Sequence, residues 1–190
     1  METLDHIIIE TAEKLCEPGD SMPIAGHVDL EGYSVGEKQY RLLSGVDYDL
    51  VLTHAGDGIL ATGIVRATSE GECDRCLEAA QFEISSELDE YYLFEAPEAV
   101  DVDDEDYYDD DSDAFELVGE DNTVDLAGAI NDAIVMDTPF VLLCDPDCQG
   151  LCPHCGCNLN KETCDCDASE EEDPFENNPF AVLKNLKLDE

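Results

Sequence analysis

Seven of the ten cysteines fall between Cys144 and Cys166: Cys144, Cys148, Cys152, Cys155, Cys157, Cys164 and Cys166. Thiols this crowded either pair as disulfides or are neutralised as thiolates by a cation. Zinc takes four ligands in a tetrahedron, and a Cys-x-x-Cys turn aims two sulfurs at one ion. Cys152-Pro153-His154-Cys155-Gly156 has that composition, with Pro to start the turn and Gly after the second thiol to take a positive φ. Cys144-x3-Cys148 and Cys164-x-Cys166 are looser pairs, and Cys73-Asp74-Arg75-Cys76 is a second Cys-x-x-Cys upstream. Two thiols fill half a tetrahedron, so Cys73 and Cys76 need two more ligands, and the downstream cluster is the obvious donor. The expected cofactor is structural zinc, one or two ions. A disulfide scaffold would instead belong to a small secreted chain. Residues 1–25 show no signal peptide: the apolar run Ile7-Ile8-Ile9 follows Glu2 and Asp5 rather than a positive stretch. A redox Cys-x-x-Cys is the remaining alternative, and it lacks a thioredoxin-like βαβ setting.

Other chemistry finds less support. Carboxylates are abundant, but there is no Gly-rich phosphate loop and no nucleophile motif, and His154 lies between two expected ligands. A four-thiolate zinc site has no open position and does not activate water. The expectation is therefore a protein that is not an enzyme, with a metal-dependent nuclease or hydrolase as the weaker alternative. Lys and Arg number 8 against 49 Asp and Glu, a formal net charge of −41. That balance opposes wide contact with nucleic acid, which is built from cations neutralising phosphates. It favours a basic partner, or it is the solvated surface of an organism whose proteins are all acidic. Arg41, Arg66 and Arg75, with Lys38, are half of all the basic residues and cluster in the N-terminal half. They form either a small positive face for RNA or scattered ion pairs with the surplus carboxylates. No apolar run reaches the roughly 18–20 residues of a membrane span, so no membrane partner is expected, and no small-molecule substrate is evident.

The elements that must position the thiols read as follows. Residues 1–20 form an N-terminal segment in which Leu4, Ile7, Ile8 and Leu15 line one face of a short helix. Val46, Tyr48, Leu50 and Leu52 alternate with Asp47, Asp49, Val51 and Thr53, the period of a half-buried strand. His54-Ala55-Gly56-Asp57-Gly58 reads as a hairpin loop, and residues 59–68 return as a strand. Phe82, Ile84, Ser86 and Leu88 alternate beyond Cys76, which puts the Cys73 knuckle at a hairpin tip. Met22 to Leu30 is a weaker strand. Residues 95–121 form a charge run expected to be a disordered loop, in which Tyr107 and Tyr108 are available to stack on Arg. Asn122 or Thr123 caps a helix through about Met136, with Leu126, Ile130, Ala133 and Ile134 on one face. Phe140-Val141-Leu142-Leu143 follows as an apolar anchor for the thiol module, and Asn178-Pro179 opens a short terminal helix. The fold class is α+β: a mainly antiparallel β core with one main helix, a C-terminal Cys-rich zinc module and a short terminal helix. Its parts are the segment 1–20, the core 21–140 and the module 141–190.

In this order the pieces resemble the YceD family, large ribosomal RNA subunit accumulation proteins. The likeness rests on Cys73-x-Arg75-Cys76-Leu77-Glu78 after a β hairpin and on Val124-Asp125-Leu126 opening the helix toward Thr138-Pro139. It continues in Leu143-Cys144, in Cys148-x-Gly150-Leu151-Cys152-Pro153-x-Cys155-Gly156-x-Asn158-Leu159-Asn160, and in Pro179-Phe180-x-x-Leu183-x-x-Leu186. It runs from about residue 46 to the end. The resemblance implies a cytoplasmic bacterial protein tied to ribosomal RNA processing and accumulation of the large subunit. Two positions depart from the pattern: Cys157 is an extra thiol, and Phe180 stands where Arg often follows the Pro. Setting aside Cys157 and the isolated Cys16 leaves Cys73, Cys76, Cys144, Cys148, Cys152, Cys155, Cys164 and Cys166 as ligands. One partition joins Cys144 and Cys148 to Cys152 and Cys155. The other joins Cys73 and Cys76 to Cys144 and Cys148, and Cys152 and Cys155 to Cys164 and Cys166. The expected partner is a ribosomal precursor particle or a basic ribosomal protein, with ribosomal RNA as the alternative.

Overall fold

The alternation along residues 46–54 puts Val46, Leu50 and Leu52 on one face of a strand, and all three are fully buried. The computed structural model describes residues 6–96, 116–119 and 121–166. Along the chain come β1 (Ile8–Glu10), β2 (Ser21–Val28), β3 (Gly32–Val35), β4 (Lys38–His54), β5 (Gly58–Glu72), β6 (Ala79–Leu93), β7 (Glu116–Leu117), β8 (Thr123–Asp125) and α1 (Ala127–Asp137). The main sheet has the order β2-β4-β5-β6-β7, with β3 on the first part of β4. Its pairings are antiparallel except β6 with β7, and β1 pairs with β8 in a small separate sheet. The fold is α+β with a mainly antiparallel core and one helix among the described residues.

β4 pairs with both β2 and β3, and its register against β5 slips between Leu42 and Val46. Lys38 to Arg41 pair with β3, and Val46 to Thr53 pair with β2. Gly45 makes the slip: its φ is 69°, and a Cβ there would run into the Val28 carbonyl oxygen. β5 and β6 stay in register from Gly58↔Leu93 to Glu72↔Ala79, so residues 73–78 are held at the tip of a long hairpin. Its inner face buries Ile59, Ala61, Val65 and Ala67 with Ile84, Leu88 and Tyr92. α1 covers that face with Ile130, Ala133 and Ile134. The opposite face presents Asp47, Asp49, Arg66, Glu87 and Asp89 to solvent.

Three expectations are corrected. The helix expected around Leu4 to Leu15 is instead strand β1, whose Ile8 to Glu10 pair with Asp125 to Thr123. Asn122 and Thr123 do not cap the helix, since Thr123 belongs to β8 and α1 begins at Ala127. The N-cap position is Leu126, which makes no side-chain cap bond; Asp125 before it accepts the N–H of Ala127 on Oδ1 at 3.1 Å and that of Ile7 at 3.0 Å. In both cases a partner more than a hundred residues away outweighs the local pattern. Of the apolar run 140–143, only Leu142 is buried outright; Phe140 and Val141 are exposed. The centre of the acidic run and the motif at 179–186 lie outside the described residues.

Candidate metal centres

At the hairpin tip the chain turns through Cys73 to Glu78, closed by the Cys73 N–H on the Glu78 carbonyl (2.8 Å) and the Leu77 N–H on the Cys73 carbonyl (2.9 Å). Beyond α1, the chain is drawn back to this tip by Asp74. The Asp74 N–H donates to the Leu142 carbonyl at 2.8 Å, and its Oδ2 accepts the Leu142 N–H at 2.7 Å. Lys38 Nζ completes the clamp at 2.6 Å from Asp74 Oδ1. The Leu142 N–H and Lys38 together hold the Asp74 carboxyl below its usual range, Lys38 contributing most.

This docking brings Cys144 and Cys148 onto Cys73 and Cys76 (site I). A second group joins Cys152 and Cys155 to Cys164 and Cys166 (site II). Within each group one sulfur per residue lies within 4.8 Å of the others. Individual separations are 3.8 Å for Cys73–Cys148, 3.5 Å for Cys76–Cys144, 3.6 Å for Cys155–Cys164 and 3.3 Å for Cys152–Cys164. The edge of a tetrahedron of sulfurs around zinc is about 3.8 Å, from a Zn–S distance of about 2.3 Å. The spacing therefore suits four thiolates around one ion, and it is the partition that uses all eight candidate cysteines. All ten cysteines are free thiols.

The sites differ in exposure. Cys73, Cys76 and Cys148 of site I are buried and Cys144 is exposed; in site II only Cys152 is buried. Burial opposes ionisation of Cys73, but the backbone N–H groups of Cys144, Cys76 and Arg75 overcome it and bring the thiol down to about 6. Cys152 reaches about 6 through the N–H groups of Cys155 and His154 and the Cys164 thiol. Sulfur neighbours do the reverse to Cys144, pushed up to about 12 by Cys76 and Cys148, and to Cys166, pushed up to about 12 by Cys164 and Cys155. Each cluster thus mixes thiols that ionise readily with thiols that stay protonated while their neighbours carry charge. A divalent cation removes that conflict by deprotonating bound thiols, so binding releases protons. Cys157 is a fifth thiol at site II, beside Cys155 and Cys164, which push it up to about 12.

Of Lys38, Arg41, Arg66 and Arg75, three are engaged by groups of the fold. Arg41 pairs with Glu70 at 2.6 Å and Lys38 with Asp74. Arg75 Nη1 donates to the Cys148 carbonyl at 2.9 Å, and the Arg75 carbonyl accepts the Leu151 N–H at 3.0 Å. Arg66 stands opposite Asp47 across β4 and β5. Gly150 (φ 76°), packed on Arg75, and Gly156 (φ 75°), expected from the knuckle composition, take the turns that no other residue would take without strain. His154 is exposed and offers its backbone N–H to Cys152 Sγ at 3.4 Å. Asp74 and Asn160 were not distinguished by spacing; a carboxylate inside Cys-x-x-Cys is the signal that was available for Asp74.

The model of a family described as large ribosomal RNA subunit accumulation protein YceD matches residues 61–187. The chain belongs to the YceD family. The YceD match begins within β5, later than the resemblance traced from about residue 46, and it takes in both thiol clusters. An uncharacterized protein of Mycobacterium tuberculosis is 39% identical over 119 residues, 62% of this chain and 53% of its own. One of Mycobacterium leprae is 30% identical over 116 residues, 60% of this chain and 49% of its own. The large ribosomal RNA subunit accumulation protein YCED homolog 1, chloroplastic, of Arabidopsis thaliana is 31% identical over 128 residues, 58% of this chain and 40% of its own. The chain spans about half the length of the curated relatives it matches. No solved structure matches it. No helix among the described residues is long and apolar enough to cross a membrane.

Proposed function

We propose that this YceD protein is a non-catalytic, cytoplasmic factor supporting processing and accumulation of large-subunit ribosomal RNA, its fold stapled by two structural zinc ions. The observation that carries the reading is the pair of all-thiolate clusters in a chain whose family is named for large ribosomal RNA accumulation. Cys73, Cys76, Cys144 and Cys148 would hold one ion, and Cys152, Cys155, Cys164 and Cys166 the other. Such sites are closed and supply folding free energy rather than a nucleophile. Site I would join the tip of the β core (21–140) to the module (141–190). The net charge of −41 favours a basic ribosomal protein on a precursor particle over RNA as the direct partner. Two of the three arginines that could contact RNA are engaged within the fold, by Glu70 and by the Cys148 carbonyl.

The test replaces the chromosomal copy by variants and measures the ratio of large to small ribosomal RNA, alongside capture of purified basic ribosomal proteins by the chain. Loss of the chain should lower the ratio, and deletion of residues 98–116 should abolish capture. An unchanged ratio on loss of the chain would overturn the functional reading. Salt-sensitive RNA binding that disappears with Arg41, Arg66 and Arg75 would replace the protein partner by RNA.

A further inference from the structure

The two thiol clusters share a wall. Residues 158–161 lie between the site II cysteines Cys155 and Cys164, yet the side chains of Asn158, Asn160 and Lys161 face site I. Asn160 Nδ2 donates to Cys148 Sγ at 3.3 Å, and its Oδ1 accepts the Gln149 N–H at 2.7 Å. The amide is oriented by Asn158, whose Oδ1 accepts from Asn160 Nδ2 and from the Asn160 backbone N–H, each at 3.0 Å. The backbone is tied down as well. Leu159 N–H reaches the Gly150 carbonyl at 2.9 Å, and Leu151 forms an antiparallel bridge with Asn158. Lys161 Nζ bonds Glu78 Oε1 at 2.7 Å, and its ammonium lies beside Cys76 and Cys144 in a recess they line with Asn158 and Asn160.

Four thiolates on one dication leave two negative charges in a largely buried place. An N–H donated to a thiolate and a nearby ammonium each reduce that charge, which is what the Asn160 amide and Lys161 supply. Groups of this kind fix the orientation and basicity of the ligand they touch. Their own placement depends on the turn that site II closes.

We propose that Asn160 is a positioning residue for site I carried on the loop of site II, so that metal in site II tightens metal in site I. The proposal rests on both clusters holding metal. Coupling between two binding sites is reciprocal, so filling site I also favours site II by the same factor.

The test uses the full chain with Zn(II) competed against a chelator, and with Co(II), whose sulfur-to-metal charge-transfer band reports the thiolates. Asn160→Ala should weaken site I by about 10–100-fold, the usual loss for a partner of a metal ligand, and shift the site I band. The double variant Cys164→Ser/Cys166→Ser, which retains site I alone, should show a similar weakening. Asn160→Ala added to it should cost less than about threefold more, because the contact is already lost. Overturning results are site I affinity unchanged in Asn160→Ala, a weakened site with an unshifted band, or losses that simply add in the combined variant. Wild-type chain that binds no metal would instead refute the two-zinc reading, whatever Asn160 does.

Discussion

Asp74→Ala separates a clamp from a surface charge. In the wild type, Asp74 Oδ2 accepts the part-buried Leu142 N–H at 2.7 Å, and Oδ1 pairs with Lys38 across a partly exposed surface. Truncation leaves the Leu142 N–H without an acceptor, which costs about 1–3 kcal/mol. The ion pair adds little, because both partners remain in contact with water. The loss is therefore about 1–3 kcal/mol, nearly all of it from the Leu142 N–H. Asp74→Asn keeps an acceptor for Leu142 and gives up the charge, so it should cost about 1 kcal/mol. In a chain of this size one kcal/mol moves the melting temperature by about 2–4 °C. Asp74→Ala should therefore lower Tm by about 2–12 °C and Asp74→Asn by about 2–4 °C. Thermal unfolding of the metal-loaded protein, followed by circular dichroism, checks both. Equal shifts for the two variants, or a shift below about 1 °C for Asp74→Ala, would refute the claim that this carboxylate holds the post-helix loop against the hairpin tip.

Two further outcomes test the core. Burial raises the Glu90 carboxyl above its usual range, with Glu116 and Asp132 adding to the effect. A raised folded pKa means its contribution is intact below the unfolded value and is lost as pH rises through the folded one. Glu90→Gln should then match the wild type near pH 4 and gain stability over it from about pH 5 upward, measured as the Tm difference across pH; a constant difference would count against it. Gly45→Ala should destabilise by more than about 1 kcal/mol in urea unfolding, since alanine is strained at that φ and its Cβ meets the Val28 carbonyl. A neutral result would mean that the slip in β4 does not need glycine.

Much of this architecture could be read in the residues. The period-two alternation along residues 46–53 and 82–88 located β4 and β6, and Gly56 with Gly58 located the turn between β4 and β5. Cys-x-x-Cys at a hairpin tip pointed to distant partners for Cys73 and Cys76, because two thiols cannot complete a tetrahedron, and Cys144 and Cys148 lie beside them. What remained hidden was long-range. Ile8 pairing with Asp125 turned an expected helix into a strand, and no local pattern encodes a partner 117 residues away. Arg75 looked like an RNA contact by charge alone, yet its guanidinium is spent on the Cys148 carbonyl. Asn160 carried no recognisable role until the site II turn folded it onto Cys148. Spacing alone left two ligand partitions open, and the geometry of the tip brings together only one of them.

The central claim is best tested by metal content of the protein purified without chelator, with free thiols titrated before and after metal removal. Two zinc ions per chain are expected, with the eight cysteines of sites I and II masked until the metal is stripped and Cys16 reactive throughout. Metal-free protein, with its thiols free or paired as disulfides, would contradict the account.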